Sequence, residues 1–267
     1  MQKPNYVILT GASSGIGRAT LDLLLAKECW VIGTSRDISE PVVVHERCLW
    51  IPLDLTNSKS REAFLEKITS EKLSISWLIN NAGYGLISPF EGATEAEMRH
   101  QMEANFFGTT LLTQWVLPLL LKHKSAAIVT VTSIGGRMAF PFYGYYHASK
   151  HALEGLFESL WYELESRGVR VYLVEPGFTR TDFVGRSQRM GSLTVARLKA
   201  PISRLLKRLE TSTAGSKPEV IADLIVRALE SKSRTLRYTG GYLSSLLILR
   251  RILPESIFRW VLKGQMN

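Results

Sequence analysis

At 267 residues, 45% of them hydrophobic, the chain has enough apolar material for one large α/β domain, and no stretch of linker composition divides it. Its two cysteines, Cys29 and Cys48, are too few for a disulfide framework or most zinc sites, and they read as buried thiols in a reducing, cytoplasmic setting. The formal net charge is +9, with the basic residues gathered late, at Arg186, Arg189, Arg197, Lys199, Arg204, Lys207 and Arg208, then at Arg234, Arg237, Arg250, Arg251, Arg259 and Lys263. Such a surface suits phosphate, an acidic partner, anionic lipid or plain solvation, and it lacks any nucleic-acid-binding motif.

The N-terminus runs straight into a strand, with no basic segment ahead of an apolar one, which argues against secretion. Strands and helices then alternate. VILT precedes a glycine loop and IGRATLDLLLAK reads as an amphipathic helix; WVIGTS and CLWIPL are strands, SREAFLEKITSEK a helix and ISWLIN a strand. A long helix is expected from about Thr94 to Lys122, with Pro118 kinking or tightening its last turns. AAIVTVTS, VRVYLVEP and TLRY are the later strands, separated by the helices YYHASKHALEGLFESLWYELES and PEVIADLIVRALES. The strands are short, apolar and β-branched, as in sheets covered on both faces, so the expected fold is α/β with a doubly wound parallel sheet. Ligands of such sheets bind at the carboxyl ends of the strands, where the strand order reverses.

The motifs fall at those ends. Gly11, Gly15 and Gly17 lie between the first strand and first helix, where bare backbone can approach a pyrophosphate at a helix N-terminus. The second strand ends Thr34-Ser35-Arg36-Asp37. An acid here would bind the ribose of NAD and an arginine the 2′-phosphate of NADP. Arg36 comes first and Ser35 fills the place an acid would take, so NADP(H) is favoured over NAD(H). Tyr146 and Lys150 are four apart on one helix face, and an ammonium beside a phenol favours the phenolate, suiting the tyrosine to proton transfer. Only Tyr146 has a lysine at that spacing; Tyr143 and Tyr145 read as pocket wall or packing, and His147 and His151 as surface or packing residues. No cluster of His, Asp and Glu suggests a metal.

In these residues the chain resembles the compact, single-domain type of short-chain dehydrogenase/reductase, over essentially residues 4 to 240. The resemblance rests on TGASSGIG, Asp54-Leu55, NNAG at 80–83, Asn105 in NFFG, Ser133, YHASK at 146–150 and EPG at 175–177, all in order. It implies that Tyr146 gives or takes the proton, that Lys150 lowers its pKa and holds the nicotinamide ribose, and that Ser133 hydrogen-bonds the substrate oxygen. Asn105 would support a water-linked proton path. At the cofactor, Ser13, Ser14 and Ile16 would join the glycines, with Asp54 and Leu55 at the adenine. Asn81 and Ala82 would line the adenosine ribose side, with Gly83 beside them, and Pro176, Gly177 and Thr179 would frame the carboxamide. A homodimer or homotetramer is expected.

The substrate end is less constrained. Residues 181–217 correspond to the segment that closes over substrate in this family, and they mix apolar and basic residues around Gly185, Gly191 and Gly215. Residues 1–241 are read as the dinucleotide-binding and catalytic domain, and 242–267 as a helical extension broken at Pro254. The extension's uncharged run, Tyr238 to Leu249, is too short to span a bilayer. It would cover a greasy pocket, pack in a dimer or lie peripherally on a membrane surface. Tails of this kind in the family accompany steroid, retinoid and long-chain lipid substrates, so the expected reaction interconverts a carbonyl and an alcohol on a hydrophobic molecule. The alternatives are a 3-oxoacyl reductase whose basic surface docks an acidic carrier, and an NADP-sensing scaffold with idle chemistry.

Overall fold

The computed structural model describes residues 4–180, 188–191, 195, 198, 202–203, 215–231 and 233–264. An eight-stranded sheet forms the centre: β1 (Asn5–Leu9), β2 (Trp30–Ser35), β3 (Val42–His45), β4 (Cys48–Pro52), β5 (Ser74–Asn80), β7 (Ala126–Val131), β8 (Val169–Pro176) and β10 (Arg237–Gly240). Their order is β10-β8-β7-β5-β1-β2-β4-β3. The chain starts at the centre, builds outward through β2, β4 and β3, then returns to add β5, β7, β8 and β10 on the other side of β1. The reversal lies between β1 and β5, so the expected switch point is present.

Alternation along each strand feeds two cores. Val7 and Leu9 of β1, with Val129 and Val131 of β7, pack among Leu21 and Leu24 of helix α1 (Gly15–Ala26) and Ile221 and Ile225 of α6 (Pro218–Glu230). Ile8 and Ile128 point the other way, towards Phe64 and Ile68 of α2 (Ser58–Ser70), Leu112 and Val116 of α4 (Gly108–Leu120), and Phe157 of α5 (Gly144–Glu165). Both faces of the central strands are therefore buried, which is why they read as continuous apolar runs.

Several details differ from the sequence expectation. The edge strand β3 was not anticipated: it pairs antiparallel with β4, carries exposed Val42 and Val43, and makes the sheet mixed at that edge. The single helix over Thr94–Lys122 is instead α3 (Glu95–Met102), a π turn at Glu103–Phe107, and α4. Thr94 caps α3 in a reciprocal box with Glu97, the Thr94 N–H donating to the Glu97 carboxylate at 2.8 Å and the Glu97 N–H to Thr94 Oγ1 at 3.3 Å. Helix α4 runs through Pro118 and ends two residues later. The last strand begins at Arg237, two residues after the expected start. Outside the main sheet, β6 (Gly85–Ile87) pairs in parallel with β9 (Gln188–Met190). Most of the expected substrate lid, 181–217, lies outside the described residues, as do most of the basic residues between Arg186 and Arg208.

The C-terminal extension forms the two expected helices, α7 (Leu246–Ile252) and α8 (Glu255–Gly264), on either side of Pro254. It does not stand apart from the domain. Leu246 and Phe258 are buried against Ile134 and Met138, with Phe140 and Leu253 packed alongside. The apolar content is divided between two faces, and Ile248, Leu249, Ile252, Ile257 and Trp260 remain exposed. A helix one layer thick can seat only one of its faces on the domain.

The turn between β1 and α1 tolerates no side chain at Gly17. A Cβ there would stand 2.0 Å from the Gly11 carbonyl oxygen and 2.6 Å from Asn81 Nδ2. Gly17→Ala is therefore expected to cost about 1–3 kcal/mol through overpacking, lowering the melting temperature by several degrees. An unchanged melting curve would show that the loop relaxes freely.

Candidate active site

The strand ends of β1, β2, β4, β5, β7 and β8 converge on one cleft of about 660 Å³. Gly11, Ser13, Ser14, Gly15, Ile16 and Gly17 line one end with Arg36, Asp54 and Leu55. Asn81, Ala82 and Gly83 form the middle, and Ser133, Tyr146, Lys150, Pro176, Gly177 and Thr179 the other end. Of the residues singled out from sequence, Asn105 alone stands behind the wall instead of lining it.

The glycine loop is held from below. Thr10 Oγ1 accepts the N–H groups of Asn81 (2.9 Å) and Ala82 (3.0 Å), and Asn81 Nδ2 donates to the carbonyls of Thr10 (3.0 Å) and Gly11 (3.1 Å). The Asn81 side chain thus fixes the shape of the loop. Asn80 anchors the same junction, donating to Thr113 Oγ1 at 2.9 Å and Thr130 Oγ1 at 3.2 Å. Ser14 is the N-cap of α1 and makes no side-chain cap bond, and the first turn contains no acid. A helix start of this kind, positive and free of competing carboxylates, fits an anionic group.

At the ribose end the structure brings both candidates to the cleft, since Arg36 and Asp37 each line it. Only one was expected to face it. Ser35 is buried, and its hydroxyl lies 3.3 Å from Ser13 Oγ and accepts the Asp37 N–H at 3.1 Å. Arg36 forms no ion pair with any described residue. Asp54 is held by Thr56, whose N–H and hydroxyl each reach Oδ1 at 2.8 Å.

At the opposite end, Ser133 lies two residues beyond β7, capping a short turn, and its Oγ accepts the Gly135 N–H at 2.9 Å. Tyr146 is half-buried in the cleft wall. Burial pushes its phenol above the ordinary value, and a hydrogen bond with Ser133 is the force that pulls it back. Lys150 stands beside the ring. The ammonium sits 5.9 Å from the Tyr146 ring centroid and donates to the Val131 carbonyl at 2.9 Å. It is itself desolvated, which lowers its pKa to about 8, while Glu154 acts to raise it. Asn105 sits in the π turn, fully engaged: Oδ1 accepts the Tyr84 N–H at 3.0 Å, and Nδ2 donates to the Tyr84 carbonyl at 2.9 Å and Ser149 Oγ at 3.0 Å. A polar side chain inside a helix is costly without partners. The π turn supplies them by rotating Asn105 against β6 and α5.

The neighbouring aromatics hold structure. Tyr143 is buried at the cleft wall, and Tyr145 donates to the Phe90 carbonyl at 2.9 Å while stacking on its ring. His147 is buried with Nδ1 2.9 Å from the Gly135 carbonyl and Nε2 accepting the Phe140 N–H at 2.9 Å. Burial lowers its pKa to about 4, so it is neutral near pH 7. Among the described residues, no group of three or more His, Cys, Asp or Glu side chains is placed to hold a metal ion. No helix among them is long and apolar enough to cross a membrane.

A family model for the short chain dehydrogenases matches residues 5–191. The chain belongs to that family. It is 34% identical over 266 residues to a 3-ketodihydrosphingosine reductase of Bacteroides thetaiotaomicron, covering 98% of this chain and 97% of that protein. A crystallised short-chain dehydrogenase from Streptomyces avermitilis superposes with a TM-score of 0.81 at 27% identity, covering 98% of this chain and 97% of that one. A Burkholderia cenocepacia short chain dehydrogenase, solved in complex with NADP, shares the fold at a TM-score of 0.77 and 24% identity, covering 98% and 99% of the two chains. As a short-chain dehydrogenase/reductase, the protein is an oxidoreductase acting on a carbonyl or an alcohol.

His147 gives this site a pH signature. Its folded pKa of about 4 lies below the ordinary 6.5 of a free imidazole, so its contribution to stability is present above pH 6.5 and is lost as pH falls towards 4. Melting temperature should therefore decline over that window, and His147→Asn should flatten that part of the decline. An identical acid limb in the variant would assign the loss to other groups.

Proposed function

We propose that the protein is an NADP(H)-dependent enzyme that interconverts a carbonyl and an alcohol on a hydrophobic, lipid-like substrate. The observation that carries the reading is the meeting, in one cleft, of a glycine-loop anion site with Ser133, Tyr146 and Lys150. The identity to a reductase of 3-ketodihydrosphingosine over nearly the whole chain supports a long-chain substrate. The cofactor would be held by Gly11, Ser13, Ser14, Gly15, Ile16 and Gly17 at the pyrophosphate and by Asp54, Leu55, Asn81, Ala82 and Gly83 along the adenosine. Pro176, Gly177 and Thr179 would hold the nicotinamide end. When bound, it supplies or accepts the hydride.

The chain's own residues then have separable tasks. Tyr146 delivers a proton from its hydroxyl to the substrate oxygen in reduction, or takes one in oxidation. Ser133 donates to the same oxygen as charge develops on it, and also hydrogen-bonds Tyr146. Lys150 keeps a positive charge beside the phenol and holds the nicotinamide ribose. Asn105 secures the backbone of Tyr84 and, through Ser149, the helix that carries Tyr146. Arg36 favours the 2′-phosphate, because Ser35 is buried where an acid would otherwise select NAD.

We further infer that the extension contacts anionic membrane from its exposed face, where Ile248, Ile252, Ile257 and Trp260 accompany Arg250, Arg251 and Arg259. A 3-oxoacyl reductase remains the second reading. It would show itself by turnover of a carrier-bound acyl chain that falls with salt.

The test follows NADPH absorbance with 3-ketodihydrosphingosine, retinal, a steroid ketone and a 3-ketoacyl thioester. Turnover of the long-chain ketone and little of the thioester supports the reading, and the reverse overturns it. Tyr146→Phe should lower kcat by about 10²- to 10⁴-fold with the NADPH Kd nearly unchanged. Arg36→Ala should weaken NADPH binding about tenfold and leave NADH alone. Equal loss of both cofactors would move the selectivity to Asp37. Sedimentation with phosphatidylserine vesicles, but not phosphatidylcholine vesicles, is expected of the wild type, and should be lost in an Ile252→Asp, Trp260→Ser variant.

A further inference from the structure

Behind the cleft lies a buried ionic cluster that the reading above does not use. Glu154 and Glu175 are both almost completely buried, and one guanidinium stands between them: Arg237 Nε is 2.9 Å from Glu154 Oε2 and 3.3 Å from Glu175 Oε1. Arg237 Nη2 reaches Glu158 at 2.8 Å, and Arg137 Nη1 reaches Glu175 at 3.1 Å. Two hydroxyls complete the set. Thr132 Oγ1 donates to Glu154 Oε1 at 2.5 Å, and Thr239 donates to Glu175 Oε2.

Four members lie close along the chain to residues of the cleft. Thr132 immediately precedes Ser133, and Glu175 precedes Pro176 and Gly177. Glu154 is one turn beyond Lys150 on the same face of α5. Arg137 follows the short turn that Ser133 caps. The turn also fits tightly over Glu154, since a Cβ on Gly136 would stand 2.9 Å from Glu154 Cγ. One carboxylate therefore touches the segment bearing Ser133 and acts electrostatically on Lys150.

We propose that Glu154, clamped by Arg237 and Thr132, is a positioning residue that seats Ser133 and keeps Lys150 charged at the pH where the enzyme works. The proposal rests on the reading that Ser133, Tyr146 and Lys150 carry the reaction. Burying two acids around one arginine is expensive. Packing alone would be served as well by apolar residues, whereas an anion one turn from Lys150 opposes the desolvation that lowers its pKa. The groups facing Lys150 are the Tyr146 ring, the Val131 carbonyl and Glu154. Those facing Glu154 are Thr132, Arg237 and Glu175. Burial and the neighbouring Glu175 push the Glu154 carboxyl up, while Thr132 and the Arg237 guanidinium 2.9 Å away oppose them.

The test uses Glu154→Gln, close in volume, with Glu154→Asp as the conservative control. The charge of Lys150 is read without turnover, from its acetylation by acetic anhydride against pH, quantified by mass spectrometry. In the wild type the midpoint should lie near 8. In Glu154→Gln the loss of the anion should move it down by about half a unit or more, and kcat should fall several-fold above pH 8 while changing little at pH 6.5. Glu154→Asp should restore most of both. An unchanged acetylation midpoint, or a kcat reduced equally at every pH in step with a lower melting temperature, would overturn the proposal and leave Glu154 a packing residue. Full activity in Tyr146→Phe would instead overturn the reading on which it rests, and the acetylation result would still report on Glu154.

Discussion

A lysine ammonium set into the wall of a cleft loses most of its hydration, and the surrounding structure is arranged around that cost. Lys150 keeps one hydrogen bond, to the Val131 carbonyl, and its pKa falls to about 8. That carbonyl belongs to the last residue of β7, so the lysine is anchored to the strand that delivers Ser133 two residues later. The phenol of Tyr146 is desolvated by the same wall and pushed upwards, with Ser133 opposing. One environment thus drives the two ionisable groups in opposite directions, the lysine towards neutral pH and the phenol away from it. The neutral form of each is stabilised by burial, and its polar neighbours restore part of the charged form.

The sheet topology makes this placement possible. A parallel strand order that reverses between β1 and β5 leaves a crevice at the strand ends, into which six strands project their final residues. The backbone there has left the ladder, so its polar groups need other partners. Thr10 and Asn81 meet that need near the glycine loop and Ser133 meets it for Gly135, while Thr132, Glu154 and Glu175 form a linked set of side chains beside it. The first set is neutral and the second ionic. The difference follows their surroundings, because the second set lies beside a cation.

Much of this was readable from sequence because it is local. The glycine loop announces itself by spacing, and Tyr146 with Lys150 by helical periodicity. The strands show as apolar runs because both their faces are buried. What escaped is what locality does not encode. Strand β3 is four residues at an exposed edge and has no buried face to pattern it. The π turn around Asn105 is a slip of hydrogen bonding inside a sequence that still reads as helical. The ionic cluster joins positions 132, 154, 175 and 237, which only the finished sheet brings together. One signal was available, a glutamate at the turn after the lysine, but spacing alone could not say whether it faced solvent or core. Likewise, the lysine spacing said nothing of the desolvation that raises the Tyr146 phenol, which depends on the whole wall.

The extension shows the same limit from the other side. Its apolar content implied a surface to cover, and the structure divides that content between two faces. Leu246 and Phe258 are buried with Ile134 and Met138, immediately beyond Ser133, while Ile252 and Trp260 stand more than 70% exposed. The inner face therefore belongs to the cleft wall, even though it is more than a hundred residues away in sequence. Exposed Ile252 and Trp260 gain nothing from the monomer's own fold, and the arginines beside them oppose pairing with a second copy of the same face by like-charge repulsion. Any occupant of that outer face bears, through Leu246 and Phe258, on the segment that carries Ser133.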